Sequence, residues 1–287
     1  MATLPETLTE DGTSRTVETP SGTVRYNAAG PAGAPVVVML HGSGPGATGW
    51  SNFKSQMLHL ADRYRVIAPD MPGWGASVPA TYEERNHPRT VIELLDALGI
   101  EQVALVGNSM GGATSLKVAA DNPERVTHLV TLGAGAPGSK LFLPGGGPSE
   151  GYKLLLAAYR DASPERMQKF VDVFCFDTKF RSPELAKERS DRALAYPEHL
   201  ANFVAGIGKP RRGTASEDEI ASIQASTLII HGRDDRVVVF ENGVKLLSLI
   251  PNSTLVAFNQ CGHWAQVEKA AQFNRLLDVH LEDLLAH

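Results

Sequence analysis

The chain has 287 residues, 43% hydrophobic and 21% charged, enough to bury a full core in two domains or in one with an insertion. Its formal charge of -5 and pI near 6.0 give no electrostatic basis for binding nucleic acid or an anionic membrane, which leaves a small molecule as the expected partner. No apolar run reaches transmembrane length, and the opening MATLPETLTEDG has neither a basic nor an apolar leader region, so a cytoplasmic protein is expected.

Arg15 to Ala28 alternates and breaks at Pro20, Ser21 and Gly22, predicting a β-hairpin. Pro35 to Leu40 is an apolar, β-branched strand running into His41, Gly42, Ser43, Gly44, Pro45 and Gly46. A glycine-rich loop after a buried strand leaves backbone N–H groups bare for an anion, and the Lys and Ser/Thr of a phosphate-binding loop are missing. Trp50 to Leu60 predicts a helix and Tyr64 to Ala68 a strand, followed by the turn-rich Asp70 to Gly75. Arg89 to Leu98 is the next helix. The strand Val103 to Val106, the helix Met110 to Ala120 and the strand Val126 to Leu132 follow. Such alternation predicts an α/β protein with a mostly parallel sheet between helices.

The rhythm changes at 138–210, where Gly145, Gly146, Gly147 and Pro148 open a run of helical patterns, Tyr152 to Arg160, Pro164 to Phe174 and Pro183 to Ala195. An inserted helical lid is expected there, between a first core segment (1–137) and a second (211–287); above the strand ends it would exclude water from a pocket. The second segment contributes the strand Ser226 to His231, the helix Glu241 to Leu249, the strand Thr254 to Phe258 and a closing helix from Val267 to about Leu285. Cys175 and Cys261 are far apart with no secretory signal, so buried, inert thiols are expected, even though Cys261 is close to His263.

Gly107, Asn108, Ser109, Met110 and Gly111 form G-x-S-x-G between a strand and a helix. The glycines let the two backbones pass closely, so Ser109 can occupy a sharp turn with its hydroxyl clear of the sheet, and the Met110 amide can hold an oxyanion. Ser109, Asp235 and His263 follow in the order of an α/β-hydrolase triad, each just past a strand end. Histidine can take and return the serine proton near neutral pH while a carboxylate fixes its tautomer. Asp234 is the rival acid. His41 and His231 sit beside strand-end glycines and are expected to be structural.

HGSGPGATGWSNF, GNSMGG, HGRDDR and QCGHWAQVEK resemble the meta-cleavage product hydrolases, α/β-hydrolases that split a carbon–carbon bond in ring-opened catechols. The resemblance covers nearly the whole chain, lid included. It implies a 2-hydroxy-6-oxohexa-2,4-dienoate substrate, cleaved to 2-hydroxypenta-2,4-dienoate and a carboxylic acid without a metal or organic cofactor, by a homo-oligomer. It assigns Ser43 and Gly44 to the oxyanion loop and gives Asn52, Asn108 and Trp264 contacts with the dienoate. Arg189, eight residues before the run Pro197 to Leu200, matches the lid arginine that pairs with the substrate carboxylate; Arg192 and Lys179 are its rivals. Two positions depart from the family pattern: Ser43 stands where many relatives have glycine, and Val239 replaces a proline common four residues past the acid.

Such a bond breaks only if the departing carbanion is stabilised, so the dienol must first ketonise, with His263 assisting. Ser109 then attacks the C6 carbonyl and water clears the acyl-enzyme. An esterase or lactonase with the same triad, or a hydrolase-fold receptor for a small molecule, are the alternatives. The group on C6 is open, with Leu141, Phe142, Leu154, Phe170 and Phe174 expected to shape its pocket.

Overall fold

Side-chain alternation in the central strands sorts the core into two layers. In β3 (Val36–Leu40), Val38 and Leu40 join one buried cluster and Val37 and Met39 the other; in β5 (Val103–Asn108), Val103 and Leu105 separate from Ala104 and Val106 in the same way. Both strands are therefore covered on both faces, as their nearly continuous apolar runs predict. The computed structural model describes residues 8–138, 147–210 and 212–285.

The eight strands add β1 (Ser14–Thr19), β2 (Gly22–Ala29), β4 (Arg65–Pro69), β6 (Val126–Leu132), β7 (Ser226–Gly232) and β8 (Ser253–Phe258), in the order β1-β2-β4-β3-β5-β6-β7-β8. The β1–β2 hairpin closes with Thr19 opposite Gly22, β2 pairs antiparallel with β4, and every other pairing is parallel. The parallel strands therefore all present their C-terminal ends at one edge, where β3, β5, β6, β7 and β8 release the loops that build the site.

One face is covered by α2 (Gly49–Leu60), through Phe53, Met57 and Leu60, and by α12 (Ala270–Leu281), through Phe273, Leu277 and Leu281. α3 (His87–Ala97) and α4 (Met110–Asp121) cover the other with Val91, Leu95 and Leu116. α10 (Glu241–Leu249) packs against β7 and β8. Leu105 is fully buried in that second layer, so truncation to alanine should cost about 2–5 kcal/mol.

The inserted segment supplies α5 (Glu150–Arg160), α6 (Pro164–Phe174), α7 (Pro183–Leu194) and α8 (Pro197–Ala205). Ser149, Ser163 and Ser182 cap the first three with their side chains, and proline opens α6, α7 and α8. Leu155, Met167, Phe170 and Phe174 continue the core cluster of the sheet's second face. α8 and two short helices, α1 (Glu10–Thr13) and α9 (Glu217–Ala221), were not evident from periodicity.

The closing helix is not continuous. α11 (Ala265–Glu268) stops at Lys269, with φ -120° and ψ 31°, before α12 begins. The Glu268 carboxylate accepts hydrogen bonds from the Gly262, Phe176 and Asp177 amides, each at 2.8 Å, which pins the first turn to the loop before it and to the inserted segment.

Candidate active site

The turn after β5 is as sharp as its glycines allow. A Cβ on Gly107 would lie 2.4 Å from the Gly111 carbonyl, and one on Gly111 would lie 2.0 Å from the Leu40 oxygen. Ser109 between them has φ 54° and ψ -110°, a conformation rare for a residue with a side chain. It is held there by hydrogen bonds from its N–H to Leu132 O at 2.8 Å and from the Ala113 N–H to its own carbonyl at 2.9 Å. No side chain caps α4, so the Met110 amide stands open at the positive end of the helix beside the Ser109 hydroxyl.

At the ends of β7 and β8, Asp235 and His263 form a buried pair. His263 Nδ1 donates to Asp235 Oδ2 at 2.6 Å, while Asp235 Oδ1 accepts from the Val237 and Val238 amides at 2.8 and 3.0 Å. The turn in which Val239 replaces proline is thus held by the acid itself. Gly133, at the end of β6 with φ 54°, leaves the space: a Cβ there would come within 3.0 Å of His263 Nδ1 and 3.1 Å of Asp235 Oδ2. Asp234 turns the other way, its Oδ1 accepting from Arg233 at 3.0 Å. The His263 N–H donates to Phe174 O at 2.7 Å, tying the base to α6.

The loop after β3 meets Ser109 from the other side. Asn52 Oδ1 accepts from the Gly42 N–H at 3.2 Å, and the Ser43 carbonyl accepts from the Tyr159 hydroxyl, which itself accepts from Trp74 Nε1 at 2.8 Å. Among the described residues no hydrogen bond uses the Ser43 or Gly44 N–H. His41 anchors the start of the loop, with Nδ1–H donating to Gly42 O at 2.8 Å and Nε2 accepting from the Met71 N–H at 2.9 Å. Burial pushes its pKa down to about 4, so the ring is neutral and structural at pH 7.

Arg189 of α7 is 5% exposed and packs its guanidinium over Trp264 and Phe170, 4.9 and 5.1 Å from the ring centroids. It donates to Pro45 O at 3.0 Å, but among the described residues its Nε has no partner, and neither does the buried Oδ1 of Asn108. Burial lowers the Arg189 pKa to about 10, which leaves it charged at neutral pH. Its rivals are engaged elsewhere: Arg192 forks onto Glu10 at 2.8 and 2.7 Å, and the exposed Lys179 pairs with Asp177 at 2.9 Å.

Ser43, Gly44, Asn52, Asn108, Ser109, Arg189, His263 and Trp264 all line one small cleft of about 10 Å³. Ser43, Ser109 and Leu155 also line a second cavity of about 220 Å³, which extends past Met110 to Trp74, Arg85 and Phe203. The serine therefore stands between a narrow polar subsite and a wider one.

Of the side chains expected to shape the pocket for the C6 group, the described ones do not line the wider cavity. Phe174 lines the polar cleft, Phe170 packs on Arg189 and Trp264, and Leu154 packs into the core. Leu141 and Phe142 lie outside the described residues, as do Gly145 and Gly146. Tyr152, Leu155, Phe203, Val237 and Val238 line the wider cavity instead. The docking of the inserted helices decides this, and periodicity shows only that a face is apolar. Glu268, Gly133 and Tyr159 were also missed, because their partners are remote in sequence. Cys175 and Cys261 are both buried, and burial raises both thiol pKa values well above the ordinary range.

A family model for the α/β hydrolase fold matches residues 35–270. The chain is 43% identical to the 2-hydroxy-6-oxononadienedioate/2-hydroxy-6-oxononatrienedioate hydrolase of Cupriavidus pinatubonensis, across 95% of this chain and 96% of that one. It is also 43% identical to the 2-hydroxy-6-oxo-6-phenylhexa-2,4-dienoate hydrolase of Comamonas testosteroni, across 88% and 89%. Among solved structures, a meta-cleavage product hydrolase from Pseudomonas fluorescens superposes with a TM-score of 0.83 at 31% identity, covering 94% of this chain and 97% of that one.

Proposed function

The chain belongs to the α/β-hydrolase fold family and, within it, to the meta-cleavage product hydrolases; on that premise we propose how its residues divide the work of carbon–carbon bond hydrolysis. The substrate is a 2-hydroxy-6-oxohexa-2,4-dienoate, and the products are 2-hydroxypenta-2,4-dienoate and a carboxylic acid. One observation carries the assignment of sides. The polar cleft beside Ser109 holds a buried, charged guanidinium with an unpartnered N–H and a buried amide oxygen with no donor. Orphaned groups of this kind cost free energy in the empty site and recover it when a ligand supplies the missing partners. A carboxylate beside an enol hydroxyl supplies both, an acceptor for Arg189 and a donor for Asn108. An ester or lactone lacking these groups satisfies neither.

In this reading Arg189 and Asn108 hold the C1 carboxylate and C2 hydroxyl, with Trp264 against the diene. Asn52 holds the Gly42 amide and so the shape of the oxyanion loop. The cleft is small, so the dienoate enters as α7 draws back and Arg189 exchanges Pro45 O for substrate. Loss of the C2 hydroxyl proton and addition of a proton at C5, assisted by His263, give the keto form. His263 then takes the Ser109 proton as Oγ adds to C6, and the oxyanion accepts from the Met110 amide and from the Ser43 or Gly44 amide. When C6 regains its carbonyl the C5–C6 bond breaks, its electron pair passes through the enone to the C2 oxygen, and the proton held on His263 is returned to that dienolate, which leaves the dienol product and a neutral His263. Water, deprotonated by His263, then hydrolyses the acyl group from Ser109. Asp235 keeps the His263 proton on Nδ1 and steadies the imidazolium.

No helix among the described residues is long and apolar enough to cross a membrane. The reading of the sequence favours a cytoplasmic setting, and the family resemblance favours a homo-oligomer.

The test mixes the protein with a yellow dienoate and, separately, with a nitrophenyl ester. Rapid loss of dienoate colour with equimolar carboxylic acid supports this reading. Ester turnover alone points to an esterase, and tight binding without turnover to a receptor. The two named relatives, one for a dienedioate and one for a phenyl-substituted dienoate, leave the C6 group open.

A further inference from the structure

Arg85 and Arg189 are the only arginines among the described residues with a buried side-chain N–H that has no hydrogen-bond partner. They lie on opposite sides of Ser109. Arg189 lines the polar cleft and Arg85 lines the wider cavity, while Ser109 lines both. Arg85 sits in the connector before α3, held between the rings of Trp74 and Phe203 at 5.1 and 5.4 Å from their centroids. One hydrogen bond, from Nη2 to Ala80 O at 3.4 Å, uses one of its five donors, and among the described residues no carboxylate pairs with it.

No Asp or Glu lines the wider cavity among the described residues, whereas three cations do: Arg85, Lys209 and Arg212. Lys209 is exposed and already paired with Glu83 at 2.7 Å, and Arg212 is exposed beside Tyr82. Arg85 is the half-buried one, with its guanidinium beside two aromatic rings and its buried Nε–H without a partner among the described residues. The cavity volume, about 220 Å³, is many times the roughly 10–15 Å³ that a single water requires, room for a short acyl chain with a polar end.

We propose that Arg85 binds a carboxylate at the end of the C6 substituent, so that the protein selects dienoates charged at both ends. The assignment of the C6 side to this cavity rests on the proposed function. A neutral alkyl or aryl group in the same place would leave the Arg85 donors without acceptors, whereas a carboxylate would take two of them in a forked contact.

The experiment uses two substrate pairs that differ only in that carboxylate: dienoates with a succinyl or a butyryl group as the C6 acyl unit, and nitrophenyl hemisuccinate against nitrophenyl butyrate. Wild type should favour the succinyl member of each pair. Arg85→Met should lower kcat/KM on the succinyl substrates on the order of 30-fold, through KM, and leave the butyryl substrates within about threefold, while Arg85→Lys should fall between. Activity on the butyryl substrates also reports that the variants fold. Equal losses on both members would make Arg85 a packing residue and overturn the proposal, as would a wild-type enzyme that shows no succinyl preference. If neither dienoate is cleaved yet the ester pair shows an Arg85-dependent succinyl preference, the proposed function fails and the assignment of Arg85 stands; ester rates indifferent to Arg85 overturn it.

Discussion

Asp235 Oδ2 and His263 Nδ1 lie 2.6 Å apart in a buried contact, and the neighbouring Asp234 faces away toward Arg233. Two adjacent carboxylates at one strand end are thereby separated in role. Asp235→Asn should reduce kcat on the order of a thousandfold, because an amide no longer requires the His263 proton on Nδ1 or steadies its charge. Asp234→Asn should stay within about threefold, since its partner is the exposed Arg233 rather than His263, and such a pair contributes little. Parallel kcat measurements decide this, and the reverse order would move the acid to Asp234.

Arg189→Ala should lower kcat/KM on dienoates on the order of a hundredfold, equivalent to about 3 kcal/mol from a charge-assisted contact in a closed site. Turnover of a small neutral ester should change little. Because Arg189 also packs on Phe170 and Trp264 and bonds Pro45 O, equal losses on both substrates would mean that it holds the inserted helices in place rather than reading a carboxylate.

Acid should destabilise the fold in a window set by buried histidines. Burial lowers the pKa of His41 and His280 to about 4 and of His87 to about 3, below the ordinary 6.5. The unfolded chain therefore binds these protons first, so the stability they contribute is complete above pH 6.5 and is lost as pH falls toward 4. Each can contribute up to about 1.4 kcal/mol per pH unit there. Urea denaturation between pH 7 and pH 4.5 should show this slope, and His41→Gln should reduce it by about one proton. An unchanged slope in the variant would mean that His41 is not held neutral.

The strands and most helices were legible because buried parallel strands and amphipathic helices carry their patterns locally. The serine turn was legible for a related reason: Gly107 and Gly111 mark positions where any side chain would strike backbone. Arg189 was different. Nothing local separates it from Arg192 one turn later, and what separates them is Glu10, 182 residues away, which occupies Arg192. The resemblance to a known family chose between them. Glu268 and Arg85 gave no signal, since one acts through three amides of distant loops and the other matters only because Trp74 and Phe203 hold it beside the cavity. The closing helix was read as unbroken because its apolar spacing continues across Lys269.

Ser109→Ala tests the division of labour most directly. Proton transfer to C5 needs a base, whereas bond breaking needs oxygen added at C6. Stopped-flow absorbance would follow the dienol chromophore, and chromatography of the quenched mixture would count the carboxylic acid. The variant should bind the coloured dienol and convert it, at least in part, to a non-conjugated keto form, while release of acid nearly stops. Acid released at close to the wild-type rate would contradict a covalent role for Ser109 and leave His263 activating water directly. A chromophore that never changes would place Ser109 in the ketonisation step.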